Sequence, residues 1–298
     1  MDLRFGITAL DWSTVLGQLS ANGFFDLSKF DFADIVRIAH KQGFSLMELT
    51  LDIGYVLPGS LSDHQIAKLL AVKKELELTY TAHLPLWSIE PSSPNSFIRE
   101  ASVACLVEAV RRAEPLEPEV YVVHNAGWLG AEFSEFKIGG DDQPLISMII
   151  GNLAEQSIRE LIQQTKVPSR QFALESIEFP FEITWNIAER LDTSVCLDTG
   201  HVLSGQSGST DVLDFVERYH SRLSEIHLHD GAVRPVTGSR FPYFDHKVLG
   251  QGDLPISEFL MALENRGFNG PIIFELNRED ALESLKVIRK LLPDLPID

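Results

Sequence analysis

Short apolar runs alternate with amphipathic segments along the whole chain. The runs predict buried strands at residues 4–8, 45–50, 78–83, 120–124, 171–175, 195–197, 223–227 and 272–275. Between them, apolar residues recur at helical spacing and predict helices at residues 31–42, 62–75, 96–113, 144–164, 181–190, 211–220, 256–266 and 280–291. Eight unbroken strand–helix units with mostly apolar strands favour an α/β fold, the closed parallel (β/α)8 TIM barrel.

An open, doubly wound parallel sheet is the alternative architecture. It needs fewer strands and usually carries a glycine-rich turn after the first strand, which residues 6–10 (Gly-Ile-Thr-Ala-Leu) do not supply. The length of 298 residues would allow two domains, but single α/β barrels commonly reach this size. Glycine and proline are scattered and no linker stands out, so we predict one TIM-barrel domain over residues 1–298.

Composition and charge restrict the partners and the compartment. A net charge of −18 and a pI near 4.9 argue against a nucleic-acid partner, because phosphate backbones require a positive surface. Cys105 and Cys196 lie in apolar segments, as expected of buried thiols in a reducing compartment. Neither a signal peptide nor a membrane-spanning segment is visible. We therefore expect a cytoplasmic protein with a small-molecule substrate, and the sequence leaves open whether it forms a homodimer.

One short stretch carries a pattern typical of a metal site. The predicted strand 195–197 is followed directly by Asp198-Thr199-Gly200-His201, with a carboxylate and an imidazole three residues apart. These two ligand types suit zinc, manganese and similar divalent ions. We expect Gly200 to let the backbone turn between them. A capped turn, with His201 incidental, is the alternative.

Other predicted strands end in the same kind of residue. In a TIM barrel the chemistry gathers at the carboxyl ends of the strands. Six of the nine histidines fall at such ends, whereas His40, His64 and His220 lie in predicted helices. This segregation predicts a metal site at the barrel mouth. The strand-end residues are Glu48, His83, His124, Glu175, Asp198, His201, His227, His229, His246 and Glu275.

The number of ions follows from how the ligands are divided. Four of them form an oxygen-rich set suited to one divalent ion, namely Glu175, Asp198, His227 and Glu275. The remaining histidines, His83, His124, His201 and His246, either bind substrate or ligate further ions, most naturally zinc. Zinc or manganese, at one to three ions, is the predicted cofactor.

Two mechanisms use these residues differently. In the first, two ions bridged by a carboxylate such as Glu175 or Glu275 clamp a phosphoryl group, and a metal-bound hydroxide attacks it. In the second, Glu175 and Glu275 act as an acid–base pair that moves a proton between adjacent carbons of a sugar. The residues alone do not separate the two.

Several residues outside the ligand sets are predicted to contact substrate. The segment 234–253 carries an unusual basic cluster for so acidic a chain, Arg234, Arg240 and Lys247, which would steady a phosphate. Trp87, Trp128 and Phe133 lie in loops on the same face and would wall a pocket or cover the mouth. The predicted substrate-binding residues are Glu48, Trp87, Arg234, Arg240 and Lys247.

These motifs resemble those of the xylose isomerase-like superfamily of TIM barrels, which holds sugar isomerases and epimerases together with endonuclease IV-type enzymes. The resemblance rests on the stretch 195–201, on Glu225-Ile226-His227-Leu228-His229-Asp230, on residues 246–252, and on Ile273-Phe274-Glu275. They fall in the right order on successive strands, so the resemblance spans nearly the whole chain. The resemblance is specific for the superfamily but gives little information about the substrate.

The resemblance implies a division of the ligands. Glu175, Asp198, His227 and Glu275 match the single-metal set of the isomerase and epimerase branch, and His227 is preferred over His229 on this ground alone. His83, His124, His201 and His246 match ligands that the nuclease branch adds. That branch carries an aspartate two residues before the counterpart of His246, whereas this chain has Phe244 there, which puts a third ion in doubt.

Within the superfamily, residues 83–87, 93–99 and 118–124 look similar to the cobamide-remodelling phosphodiesterases of bacteria. The sequence therefore favours a metal-dependent hydrolase that cleaves a phosphoester in a small or nucleotide-like substrate, such as the nucleotide loop of a cobamide. The alternative enzyme is a divalent-metal sugar isomerase or epimerase. A non-catalytic binding protein on a decayed barrel is the third hypothesis.

Overall fold

Eight parallel strands close into a barrel, as the sequence predicts. The computed structural model describes residues 3–9, 12–21, 24–134, 144–177, 180–208, 210–234 and 243–295. The barrel strands, numbered here in chain order, are β1 Arg4–Thr8, β2 Leu46–Thr50, β3 Thr79–His83, β4 Tyr121–Val123, β5 Phe172–Glu175, β6 Ser194–Asp198, β7 Leu223–His227 and β8 Pro271–Phe274. Each strand pairs in parallel with its neighbours in sequence, and β1 pairs with both β2 and β8 to close the ring.

Helices cover the outside of the barrel and its mouth. They are α1 Trp12–Leu19, α2 Phe32–His40, α3 Ile53–Val56, α4 Asp63–Glu75, α5 Ser96–Ala113, α6 Trp128–Ser134, α7 Pro144–Thr165, α8 Phe181–Leu191, α9 Thr199–Leu203, α10 Val212–Tyr219, α11 Ile256–Asn265 and α12 Arg278–Leu291. Short 3₁₀ turns occupy Leu27–Lys29, Glu114–Leu116 and Ser169–Gln171. Among the described helices, none is both long and apolar enough to cross a membrane.

The predicted strands and long helices agree with the observed ones to within a few residues. The sequence pattern did not predict the short helices α1, α3, α6 and α9, which are four to eight residues long. It also missed two small antiparallel pairs, Ser20–Ala21 with Phe24–Phe25 and Asp230–Ala232 with Phe244–Lys247. The second pair matters for the site because it brings the segment carrying His246 back onto the end of β7.

Strand alternation explains why the polar residues converge. Side chains of a strand point alternately outward and inward, so residues two apart share a face. On β6, Cys196 and Asp198 both point inward, level with Glu225 and His227 on β7. Lower in the barrel the inward layer is partly apolar, with Val122, Ala173 and Cys196 fully buried, and the ligand residues lie above it at the mouth. The outward faces pack against the helices in one large apolar core.

Candidate metal centre

The last inward-facing positions of four strands meet at the barrel mouth. Glu175 ends β5, Asp198 ends β6, His227 ends β7, and Glu275 follows β8 directly. Each offers one ligand atom, and these atoms all lie within 4.8 Å of one another. Three of the side chains are fully buried and Glu275 is 24% exposed, so the group is open toward the mouth. The structure thus assembles the oxygen-rich set expected from the sequence.

Glu175 lies between two ligand groups. Its Oε2 atom is 3.2 Å from His83 Nε2 and 2.9 Å from His124 Nε2. Its Oε1 atom is 3.1 Å from His201 Nδ1 and 3.7 Å from His227 Nδ1. Burial acts to raise the pKa of Glu175, but His124 and His227 hold that pKa well below its ordinary value. The carboxylate is therefore ionised at neutral pH and has one oxygen directed to each group.

Hydrogen bonds on the far side of two rings fix their tautomers. His83 Nδ1 lies 2.9 Å from the carbonyl oxygen of Leu84, so Nδ1 carries a proton and Nε2, which lies 3.2 Å from Glu175 Oε2, is the nitrogen available to an ion. His227 Nε2 lies 3.1 Å from Glu48 Oε2, so Nε2 carries a proton and Nδ1, which faces the carboxylates, is the nitrogen available to an ion. Metal-bound histidines characteristically donate their other ring N–H to a carbonyl or carboxylate.

Buried polar atoms without a hydrogen-bond partner supply the test for a metal. In the described part of the chain they include His201 Nδ1, His227 Nδ1 and Glu275 Oε2, all of which face the mouth group. Leaving such atoms unpaired in a buried site is costly, whereas a divalent ion would satisfy them together. Carboxylate and imidazole donors in these numbers suit zinc or manganese. The residues present therefore fit a divalent ion.

A third group combines His201, His229 and His246, whose ligand atoms also lie within 4.8 Å of one another. His246 Nδ1 is 3.2 Å from Asp245 Oδ1, and His246 Nε2 is 3.7 Å from Glu275 Oε2. Although burial acts to raise it, the pKa of Asp245 falls to about 2 because of the hydrogen bond from His246. From the sequence, His229 was considered only as the alternative to His227 as a ligand, and Asp245 was given no role. The position of His229, two residues beyond His227, was the available signal.

Glu48 is buried behind His227 instead of lining the open mouth. Its Oε2 atom accepts the His227 Nε2 proton, which is the position of a residue that orients a ligand. Beneath it, Thr81 Oγ1 donates to Glu225 Oε1 at 2.9 Å. Burial, followed by the nearby Glu48 carboxylate, raises the pKa of Glu225 well above its ordinary value. This placement differs from the substrate contact that the sequence suggested for Glu48.

We expect Glu48→Ala to weaken metal binding by about 10–100-fold, because His227 loses the acceptor that fixes its ring. Glu48→Gln should lose less, since the amide oxygen still accepts the His227 proton. Competition of each metal-loaded protein with a chelator measures the affinity. Glu100→Gln, on the exposed surface of α5, is the matched control. Wild-type affinity in Glu48→Ala would contradict an orienting role.

The other substrate-binding residues expected from the sequence lie outside the ligand groups where the structure describes them. Trp87 is 42% exposed and lines a cavity of about 630 Å³ with Tyr55 and Phe97, and none of the residues that line this cavity is in a ligand group. Arg234 Nη2 pairs with Asp253 Oδ1 at 3.0 Å, so this cation is already engaged. Arg234 and Lys247 each lie 5.1 Å from the centre of the Phe244 ring. Arg240 lies outside the described residues.

The comparison with known proteins identifies the class. Residues 36–291 match the xylose isomerase-like TIM barrel family, and the chain belongs to it. An uncharacterised protein of Methanocaldococcus jannaschii is 25% identical over 240 residues, which cover 78% of this chain and 76% of that protein. The family membership confirms the resemblance inferred from the sequence motifs and makes the protein a member of an enzyme superfamily.

Solved structures show the same fold. A D-tagatose 3-epimerase-like protein superposes with a TM-score of 0.70 at 19% identity, covering 98% of both chains. D-psicose 3-epimerase from Clostridium cellulolyticum H10 gives 0.67 at 17% identity, covering 99% of this chain and all of that one. The 3-keto-D-glucoside 4-epimerase of E. coli gives 0.66 at 12% identity, covering 97% of this chain and 100% of that one. At these identities the likeness establishes the barrel fold.

Proposed function

We propose that this protein is a divalent-metal isomerase or epimerase of a sugar or a sugar-containing substrate. One observation carries the proposal: two carboxylates from different sides of the barrel flank the same ligand position. His227 Nδ1 is 3.7 Å from Glu175 Oε1 and 3.4 Å from Glu275 Oε2. The names of the sugar epimerases with the same fold agree with this assignment. The phosphoester hydrolase that the sequence favoured becomes the second candidate.

In this proposal the four-residue group of Glu175, Asp198, His227 and Glu275 holds zinc or manganese. The ion would polarise the carbonyl and hydroxyl groups of a bound ketose. One carboxylate removes the proton from the carbon next to the carbonyl, and the other returns a proton to the product. Glu275 has its Oε2 atom unpartnered and is the more exposed of the two, so it is the carboxylate that meets substrate entering from the mouth.

Phosphoester hydrolysis is favoured by a different observation. Glu175 directs its second oxygen to His83 and His124, which together form a separate three-ligand group. A second divalent ion there would share Glu175 with the first, and paired ions are typical of phosphoester chemistry. Lys247, which lies near Phe244, would suit an anionic substrate. A cobamide or another small phosphodiester remains within this class.

Solvent deuterium separates the two candidates. The metal-loaded protein is incubated in D₂O with a panel of ketoses and 3-keto-glycosides, and NMR follows deuterium at the carbon next to the carbonyl. We expect incorporation in at least one sugar, and we expect Glu275→Gln to abolish it while metal remains bound. Glu279→Gln, exposed on α12, is the matched control. Release of product from a phosphodiester, with no exchange into any sugar, would overturn the proposal in favour of the hydrolase.

A further inference from the structure

Contacts with several neighbouring residues fix the position of the His229 ring. His229 is fully buried and lies two residues past the end of β7. The Nδ1 and Cε1 atoms of the ring lie so close to Gly200 that a methyl group at that position would overlap them. The ring also stacks on the His246 ring, with centroids 4.2 Å apart and planes 16° apart. Thr199 Oγ1 accepts the His229 backbone N–H at 3.1 Å. A ring enclosed in this way has one orientation.

The hydrogen bonds of His229 run opposite to those of His83 and His227. The backbone N–H of His246 donates to His229 Nδ1 at 2.9 Å. An atom that accepts a hydrogen bond must keep its lone pair, so the ring proton is on Nε2. His229 Nε2 lies 2.9 Å from Asp198 Oδ2, where its N–H donates. The nitrogen that faces the ligand residues is therefore a proton donor, whereas a metal ligand there would need a lone pair.

The backbone of His246 is adapted to make this contact. His246 has φ of 50°, in the left-handed region that a residue with a side chain rarely adopts. Strained conformations of this kind persist where the surrounding structure holds them, and they concentrate at functional sites. Here the conformation delivers the His246 amide to His229 Nδ1 while the His246 side chain faces Glu275. The tautomer of His229 is thus set by the fold.

We propose that His229 is a positioning residue that orients Asp198, and that it is not a metal ligand. Asp198 Oδ1 accepts the backbone N–H of His201 at 2.7 Å, and Oδ2 accepts the His229 proton. The two bonds fix the carboxylate and leave Oδ2 with lone-pair capacity toward the mouth. This inference rests on the metal dependence of the proposed function and is independent of its substrate.

The same assignment restricts the ligands of a third ion. Without His229, the third group retains two imidazoles, those of His201 and His246, whereas zinc sites use at least three protein ligands. An ion there would need a further ligand from a neighbouring carboxylate such as Glu275, so the inference excludes an all-histidine site at this group. Three imidazoles close together would otherwise suggest a third ion.

Long-range ¹H–¹⁵N NMR of the histidine-labelled protein reads the tautomer directly. The His229 signals are assigned by their loss in His229→Gln. We expect Nε2 to be protonated and Nδ1 to be a lone-pair nitrogen, both in the metal-free and in the zinc-loaded protein. A proton on Nδ1 in the zinc-loaded protein would overturn the proposal, because it would place the metal on Nε2. Neither measurement uses a substrate, so a failed substrate proposal leaves the result unchanged.

Elemental analysis and chelator competition on two variants test the positioning role. His229→Gln keeps an N–H donor of similar reach, so we expect the wild-type number of zinc ions and an affinity within a few-fold of wild type. His229→Leu removes the donor, and we expect zinc affinity to fall by about 10–100-fold. His64→Gln, exposed on α4, is the control. Loss of one whole ion from His229→Gln, in a protein with wild-type circular dichroism, would show that His229 is a ligand.

Discussion

Replacing Glu175 by glutamine is expected to remove metal from both groups at once. The carboxylate directs Oε2 to His83 and His124 and Oε1 to His201 and His227, so a single residue serves both groups. Glutamine keeps the shape but replaces one oxygen by an NH₂ group, which cannot ligate. It also removes the negative charge that offsets two cations. We expect zinc affinity to fall by more than about a hundredfold, beyond the usual effect of an orienting residue.

Elemental analysis after dialysis against a limiting chelator measures this effect. Glu182→Gln, exposed on α8, is the matched control and should retain the wild-type metal content. Thermal unfolding in the absence of metal checks that the variant folds. If Glu175→Gln lost one ion and kept the other at wild-type affinity, Glu175 would belong to one group only, and the shared carboxylate would be excluded.

Gly200→Ala is expected to have the second largest effect. Gly200 lies in helix α9, where alanine would ordinarily be favoured by up to about 1 kcal/mol. Here the added methyl group would overlap the His229 ring, which is also stacked on the His246 ring. The backbone or the ring must move, which costs about 1–3 kcal/mol of unfolding free energy. The movement also pulls the His229 proton away from Asp198, so metal affinity should fall with stability.

Gly17→Ala supplies a matched control for this change. Gly17 is also helical, in α1, and an added methyl group there would meet no atom within 4 Å. We expect this variant to be neutral or slightly stabilised, with unchanged zinc binding. Chemical denaturation of both metal-free variants gives the two free energies of unfolding. Equal stability of Gly200→Ala and wild type would show that the ring can shift without cost.

The structure explains the need for glycine at position 200 differently from the sequence. From the sequence, glycine was expected to allow a backbone turn between Asp198 and His201. In the described chain, Gly200 is not among the glycines with positive φ, and it lies within a helical turn that Asp198 caps. The absent side chain matters instead because His229, which lies two residues past the end of β7, occupies its space. A contact between residues so far apart in the chain leaves no mark in the local sequence pattern.

By itself, the sequence determined the barrel and the edge at which its chemistry lies. Each strand is a short apolar run, and the period of two places the final inward residue of a strand at the mouth, so Glu175 and Asp198 could be chosen from position, whereas the choice of His227 over His229 rested on the family resemblance. The tertiary structure decided their roles. His227 and His229 point the same way and are chemically alike, yet Glu48 accepts a hydrogen bond from the far nitrogen of one ring, and the His246 amide donates one to the other ring and fixes the opposite tautomer. Ligation depends on which nitrogen keeps its lone pair, and that is set by partners distant in sequence that only the closed barrel brings together.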